Sequence, residues 1–154
     1  VYSLTADDGS PEVTAVREGS DRFEVLSPSL GPVGVTERIR QDGLDVMVDL
    51  CGYAGPSLVA EIMATRACAP VQVSYMGFPG STGASYVDYA VFDPVVVPPD
   101  VPSVRDEYTE AMIYMPHCYF VNSHRTCARN ALVNAEEERS AIRSQYGLPP
   151  RPWA

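Results

Sequence analysis

Between Gly77 and Gly83 the chain reads Gly-Phe-Pro-Gly-Ser-Thr-Gly, three glycines and two hydroxyls in seven residues. Glycines let a backbone approach a phosphate, a sugar or a peptide closely, and Ser81 and Thr82 add hydroxyls beside the exposed N–H groups. The spacing is neither G-x-G-x-x-G nor a P-loop, and no lysine follows it. A tight strand-to-helix turn that needs positive φ accounts for the same residues. A second candidate is His117, which follows Pro116 at the end of an apolar run and has Tyr114, Met115 and Tyr119 around it. Those neighbours predict partial burial beside a cleft, where an imidazole can hydrogen-bond or move a proton. A packed, hydrogen-bonded histidine fits the same context.

The acidic and thiol side chains add fewer possibilities. Asp45, Asp49, Asp88 and Asp93 fall inside or at the ends of apolar segments, where a carboxylate must be paired, capped or at a cleft. Asp93 stands just before Pro94, and the commoner role of such a residue is to start a turn by accepting from its own backbone. Cys51, Cys68, Cys118 and Cys127 form no C-x-x-C pair and sit in or beside apolar segments, which predicts reduced, packed thiols. His124 and Cys127 have H-x-x-C spacing, but structural zinc sites show paired cysteines, so no metal site is expected. His124 reads as a solvated residue, and Tyr53 and Tyr75 as packing residues.

These residues must be held by alternating strands and helices. Short β-branched runs separated by amphipathic stretches predict an α/β fold, a Rossmann-like parallel sheet fed by β-α-β units. Strands are expected at 1–5, 23–26, 44–50, 71–77, 87–93 and 112–115, with 44–50 covered on both faces because it is nearly all apolar. A short helix is expected from Thr36 to Gln41. Another follows Ser57 as N-cap, burying Leu58, Val59, Ile62 and Met63, with Arg66 in its last turn. Asn134 to Tyr146 carries the best helix signals, because Asn134 and Glu137 suit a capping box and Gly147 with Pro149 ends it. In such sheets ligands bind beyond the carboxyl ends of the strands, which selects the loops at 51–57, 78–84 and 117–119.

A chain of 154 residues, 45% hydrophobic, encloses one core of ordinary size. Its net charge of −9 and the absence of any arginine cluster oppose nucleic acid and anionic membrane surfaces as partners. No apolar run approaches the roughly 20 residues that a membrane span needs. The opening at Val1 and the stop at Ala154, just after an apparent entry into a new unit, read as a partial product. Residues 1–121 are expected to form one lobe, 122–133 a linker, and 134–154 the start of a second, truncated lobe.

Several segments, in order, resemble the catalytic region of the protein O-GlcNAc transferase family. Ile39 to Gly52 (IRQDGLDVMVDLCG) is similar to its RIHQDGIxILVxxNG pattern. Cys68 to Val73 and Gly77 to Ala84 resemble its RPAPIQ and GYPGTSGA segments, Val87 to Tyr89 its MDYIITD strand, and Tyr114 to Phe120 its YMPHTFF segment. Arg143 to Pro149 matches the RSQYGLP that opens the second lobe. Cys51 departs from the usual Asn before Gly-Tyr, and Cys118 from the Thr of animal members. The short stretch between Phe120 and Arg143 resembles compact members rather than the animal enzymes.

The resemblance implies the first lobe of a two-lobed GT-B glycosyltransferase that transfers GlcNAc, with inversion, from UDP-GlcNAc to Ser or Thr hydroxyls of intracellular proteins. It implies no cofactor and no metal, a cytoplasmic or nuclear setting, and the possibility of tetratricopeptide (TPR) repeats upstream. His117 would be the catalytic-site residue of this lobe. Pro116 and Cys118 would line the substrate site, with Gly80, Ser81, Thr82 and Gly83 shaping its floor. A second histidine would precede Val1 and the nucleotide contacts would follow Ala154, so these 154 residues alone should not turn over. The sister group of protein O-fucosyltransferases, which uses GDP-fucose, is similar in most segments but has Leu-Pro-Asp where this chain has Met115-Pro116-His117. A flavodoxin-like or receiver-like binding domain is the remaining alternative, and a receiver would need a lysine that this chain lacks.

Overall fold

In the computed structural model, residues 1–54, 58–122, 141–147 and 149 are described. The chain divides into two compact units, Val1–Phe120 and Val121–Ala154. The first holds β1 (Tyr2–Ser3), α1 (Pro11–Glu18), β2 (Glu24–Val25), a 3₁₀ turn at Pro28–Leu30, α2 (Gly31–Arg40) and β3 (Val46–Asp49). α3 (Val59–Ala64), β4 (Val71–Tyr75), β5 (Tyr89–Phe92), α4 (Pro102–Arg105) and β6 (Ala111–Tyr114) follow. Of the second unit, residues 141–145 are helical, and most of the expected helix at 134–146, the linker, His124 and Cys127 lie outside the described residues.

The expected parallel α/β architecture is present. β3-β4-β5-β6 form a four-stranded sheet in chain order, all parallel, and β1 pairs with β2 in a separate parallel pair. β4 is central, with Gln72, Val73 and Ser74 buried in succession. Two apolar clusters hold the sheet. Leu26, Val35, Ile39, Ile62 and Cys68 form one, with Met47 and Leu58 against it; Ala90, Phe92, Val97 and Tyr119 form the other, with Tyr75, Tyr108 and Met112 against it. Each buried Val, Leu, Ile or Phe of these clusters stabilises the fold by about 1.5–3 kcal/mol.

Three expectations need correction. β3 is not covered on both faces: Val46 and Val48 are about half exposed, because β3 pairs only with β4 among the described strands and the first cluster lies on its Met47 side. α2 begins five residues earlier than expected, since Pro32 falls in its first turn, where a missing N–H costs nothing, and so does not interrupt it. α1 has no counterpart among the expected elements. Ser10 caps it by accepting from Val13 N, Pro11 opens it and Gly19 ends it, yet it buries no residue and so shows no apolar stripe.

At the end of α3, Arg66 adopts φ +55°, the left-handed position that usually favours glycine. Its guanidinium donates to both carboxylate oxygens of Asp88 (2.7 and 3.1 Å) and to Tyr86 O (3.0 Å). Asp88 also accepts from Gln72 N at 2.8 Å, so this carboxylate is paired rather than free for chemistry. Its pKa is lowered, first by Arg66 and then by that backbone bond.

Candidate functional site

Because β3 to β6 are parallel, the loops after them gather at one end of the sheet. The loop after β3 is shaped by Asp49, which accepts from Cys51 N (2.7 Å) and Gly52 N (3.1 Å). It touches the loop after β4 backbone to backbone: a Cβ on Gly77 would lie 2.1 Å from the carbonyl carbon of Cys51. Gly77 is therefore required for contact, not for positive φ. Positive φ falls instead on Met76, at +72°, and on Gly83, at +63°, and Gly77 N donates to Tyr75 O at 3.0 Å. An i→i+2 bond around a left-handed residue is the rare, strained form of γ-turn, and such strain concentrates at functional sites.

Two loops are each pinned at a single residue, through both its backbone N–H and its carbonyl. In the loop after β6, Tyr119 N donates to Asp93 Oδ2 (2.9 Å) and Tyr119 O accepts from the Tyr75 hydroxyl (2.8 Å). In the glycine-rich loop, Thr82 N donates to Glu110 Oε1 (2.7 Å) and Thr82 O accepts from the Tyr53 hydroxyl (2.9 Å). Asp93 and Glu110 are both buried. Asp93 also accepts from Val95 N and Val96 N through Oδ1, so it makes the expected backbone turn and in addition holds a loop 26 residues away. The bond from Tyr119, ahead of the opposing effect of burial, holds its carboxyl below the usual range. For Glu110, burial raises the pKa, but the bonds from Thr82 and Ser81 outweigh it and the carboxyl titrates low.

The residues expected to form the site divide between these loops. Pro116, His117 and Cys118 are exposed and lie between two fixed points. Met115 N continues the strand ladder to Phe92 O (2.8 Å), and Tyr119 is the pinned residue. The partial burial expected for His117 is corrected: the aromatic neighbours turn inward with Tyr119 and leave the imidazole outside. Cys118, like Cys51, is exposed rather than packed; only Cys68 is buried among the described cysteines. Desolvation and then Asp49 raise the Cys51 thiol pKa, the reverse of what a thiolate nucleophile requires.

Gly80, Ser81, Thr82 and Gly83 are not beside His117. Ser81 Oγ accepts from Thr109 N (3.3 Å) and donates to Glu110 Oε2 (2.8 Å), at the entry of β6, whereas His117 lies past its exit. About 13 Å of extended strand separates Ala111 from Met115. The hydroxyls expected to meet a ligand point to Glu110 instead, and Thr82 Oγ1 also donates to it. Gly83 N and Ala84 N are taken by Ser81 Oγ and Thr82 Oγ1, so these N–H groups do not form an open anion cradle. The part of this loop nearest the carboxyl ends is Gly77 to Pro79. There Phe78, 40% exposed, packs edge-on against Tyr53, 48% exposed, with ring centroids 6.0 Å apart.

Tyr53 and Tyr75, expected as packing residues, and Glu110, not singled out by the sequence, are the side chains that hold these loops. Glu110 had no signal beyond a polar residue just before an apolar run. Clefts of about 420 and 600 Å³ open beside β1 and β3, but neither the 80–83 nor the 116–118 residues line them. Among the described residues no group of three or more His, Cys, Asp or Glu could hold a metal ion, and no helix is long and apolar enough to cross a membrane.

Known proteins resemble this chain along most of its length. The profile described as glycosyl transferase family 41 matches residues 1–146. A probable UDP-N-acetylglucosamine–peptide N-acetylglucosaminyltransferase of Arabidopsis thaliana, SEC, is 35% identical over 148 residues, covering 96% of this chain and 14% of its own length. The Caenorhabditis elegans UDP-N-acetylglucosamine–peptide N-acetylglucosaminyltransferase is 32% identical over 129 residues, 84% of this chain and 11% of its own. Among solved structures, a mutant of the Thermobaculum terrenum O-GlcNAc transferase superposes with a TM-score of 0.67 at 30% identity, over 77% of this chain and 21% of that one. The chain thus spans a small part of the relatives it matches.

Proposed function

Because the chain belongs to glycosyl transferase family 41, we propose that it is the acceptor-side lobe of a GT-B enzyme that transfers GlcNAc from UDP-GlcNAc to Ser or Thr hydroxyls of proteins. The observation that carries this reading is the match along residues 1–146, with 35% identity to a named peptide N-acetylglucosaminyltransferase over nearly the whole chain. The geometry supports it. Pro116, His117 and Cys118 are presented to solvent at the carboxyl ends of parallel strands, where α/β sheets bind ligands, and are held between two fixed backbone points.

In this reading His117 hydrogen-bonds the sugar or the acceptor, and Pro116 and Cys118 line the same site. Holding such groups in place before substrate arrives is how positioning lowers a barrier. The nucleotide is bound by the second lobe, the transfer uses no metal or other cofactor, and the setting is cytoplasmic or nuclear.

The test is a side-by-side assay of the full-length protein on a Ser/Thr peptide with UDP-GlcNAc and with GDP-fucose. GlcNAc transfer should win by orders of magnitude, because the two donors differ in base and sugar at once and several hydrogen-bonding groups read the difference. Robust fucosylation without GlcNAc transfer would overturn the reading.

A further inference from the structure

The glycine-rich loop carries Phe78 and, through Thr82, the Tyr53 ring, yet none of its own side chains is packed in a core cluster. The side chain that takes most of its hydrogen bonds is Glu110, 1% exposed. Oε1 takes the Thr82 N–H and hydroxyl; Oε2 takes the Ser81 and Thr109 hydroxyls. A buried carboxylate is costly unless its oxygens are satisfied, and here the donors come from a segment 28–29 residues distant together with its own neighbour Thr109. Every donor that the loop's hydroxyls could offer to a ligand is turned to this carboxylate instead. Released from it, Ser81 and Thr82 would lose their anchor, and the Thr82 carbonyl that holds the Tyr53 hydroxyl would move with them.

We propose that Glu110 is a positioning residue of the transferase: its carboxylate sets the Gly77–Ala84 loop, and through Thr82 the Tyr53–Phe78 pair, in the shape that receives the acceptor chain. The proposal rests on the transferase reading above. It separates roles that the sequence pattern had merged. Ser81 and Thr82 are anchors, and the surface offered to the acceptor is the edge-on aromatic pair at the carboxyl ends of β3 and β4.

Glu110→Ala and Glu110→Gln are compared with the unmodified full-length protein by acceptor KM, kcat, Tm and backbone hydrogen exchange. Gln keeps an acceptor for the Thr82 N–H and can donate to a rotated Ser81 hydroxyl, so it partly restores the pin, whereas Ala removes it. The expected result for Ala is a rise of at least tenfold in acceptor KM with kcat within about threefold, and faster exchange at 80–84 with β4 and β5 unchanged. Gln should recover most of the KM. A lower Tm with unchanged acceptor KM in both variants would show that Glu110 serves only the fold, and would overturn the proposal. So would unchanged exchange at 80–84 in Glu110→Ala. If the unmodified protein transfers no sugar, the functional reading and the acceptor role fall together, and the exchange measurement still decides whether Glu110 pins the loop.

Discussion

The backbones of Tyr119 and Thr82 are held by the same pair of groups, a buried carboxylate on the N–H and a tyrosine hydroxyl on the carbonyl. Their surroundings differ. Tyr119 is buried, its ring 5.2 Å from Phe92, and Phe92 in turn meets Tyr108 at 5.3 Å. Thr82 is partly buried and belongs to neither apolar cluster, and its loop is held by hydrogen bonds and the Gly77–Cys51 backbone contact. The loop that presents His117 is therefore secured twice, by packing and by polar bonds, whereas the glycine-rich loop depends on polar bonds. Hydrogen bonds contribute a net ~1 kcal/mol each and burial of an aromatic ring several times that, so the first loop is the sturdier.

The largest blow to this contrast is Phe92→Ala. It removes the ring under Tyr119 and should cost about 4 kcal/mol in urea unfolding. The glycine-rich loop should keep its exchange pattern in the folded fraction; equal loosening of both loops would show that they share one core. Next is His117→Ala in the full-length enzyme, which should lower kcat/KM at least tenfold with Tm nearly unchanged, since the imidazole is exposed. A large fall in Tm with normal activity per folded molecule would make His117 a packing residue. The smallest effects come from the tyrosine hydroxyls. Tyr75→Phe should cost roughly 1 kcal/mol and Tyr53→Phe less, because the exposed Tyr53 bond competes with water. The reverse order would invert the comparison.

Acid should weaken both pins, together with the Asp88–Arg66 pair. Asp93 and Glu110 both titrate below the ordinary carboxylate value in the folded chain. Their stabilisation is complete above the unfolded-state value and is lost as pH falls through the lower folded value.

The parallel sheet and the position of its strand ends were legible because β-branched runs leave a clear pattern, as in Val71 to Tyr75. The backbone turn at Asp93 was legible too, since Asp before Pro is a local signal. The pins were not. Glu110 and Thr82 are 28 residues apart, as Asp93 and Tyr119 are 26, and nothing local in either segment names its partner. Ser81 and Thr82 misled for a physical reason: a hydroxyl beside glycines suits a ligand and suits a buried carboxylate equally well. α1 escaped notice because a helix that buries nothing carries only its caps as signal.

The order in which the strands pair bears on how the chain assembles. Neighbours in the sheet are neighbours in sequence, with pairs such as Val48–Val73, Val73–Tyr89 and Tyr89–Ala111. Closing these loops differs by only about 0.4 kcal/mol, so loop length gives no pairing a head start. Burial decides instead, and it favours β4, whose three central residues are all enclosed. Whatever the order of pairing, the glycine-rich loop, though it leaves β4 directly, is not pinned until Glu110 arrives with β6. During synthesis from the amino end, that loop is made 28 residues before the side chain that fixes it.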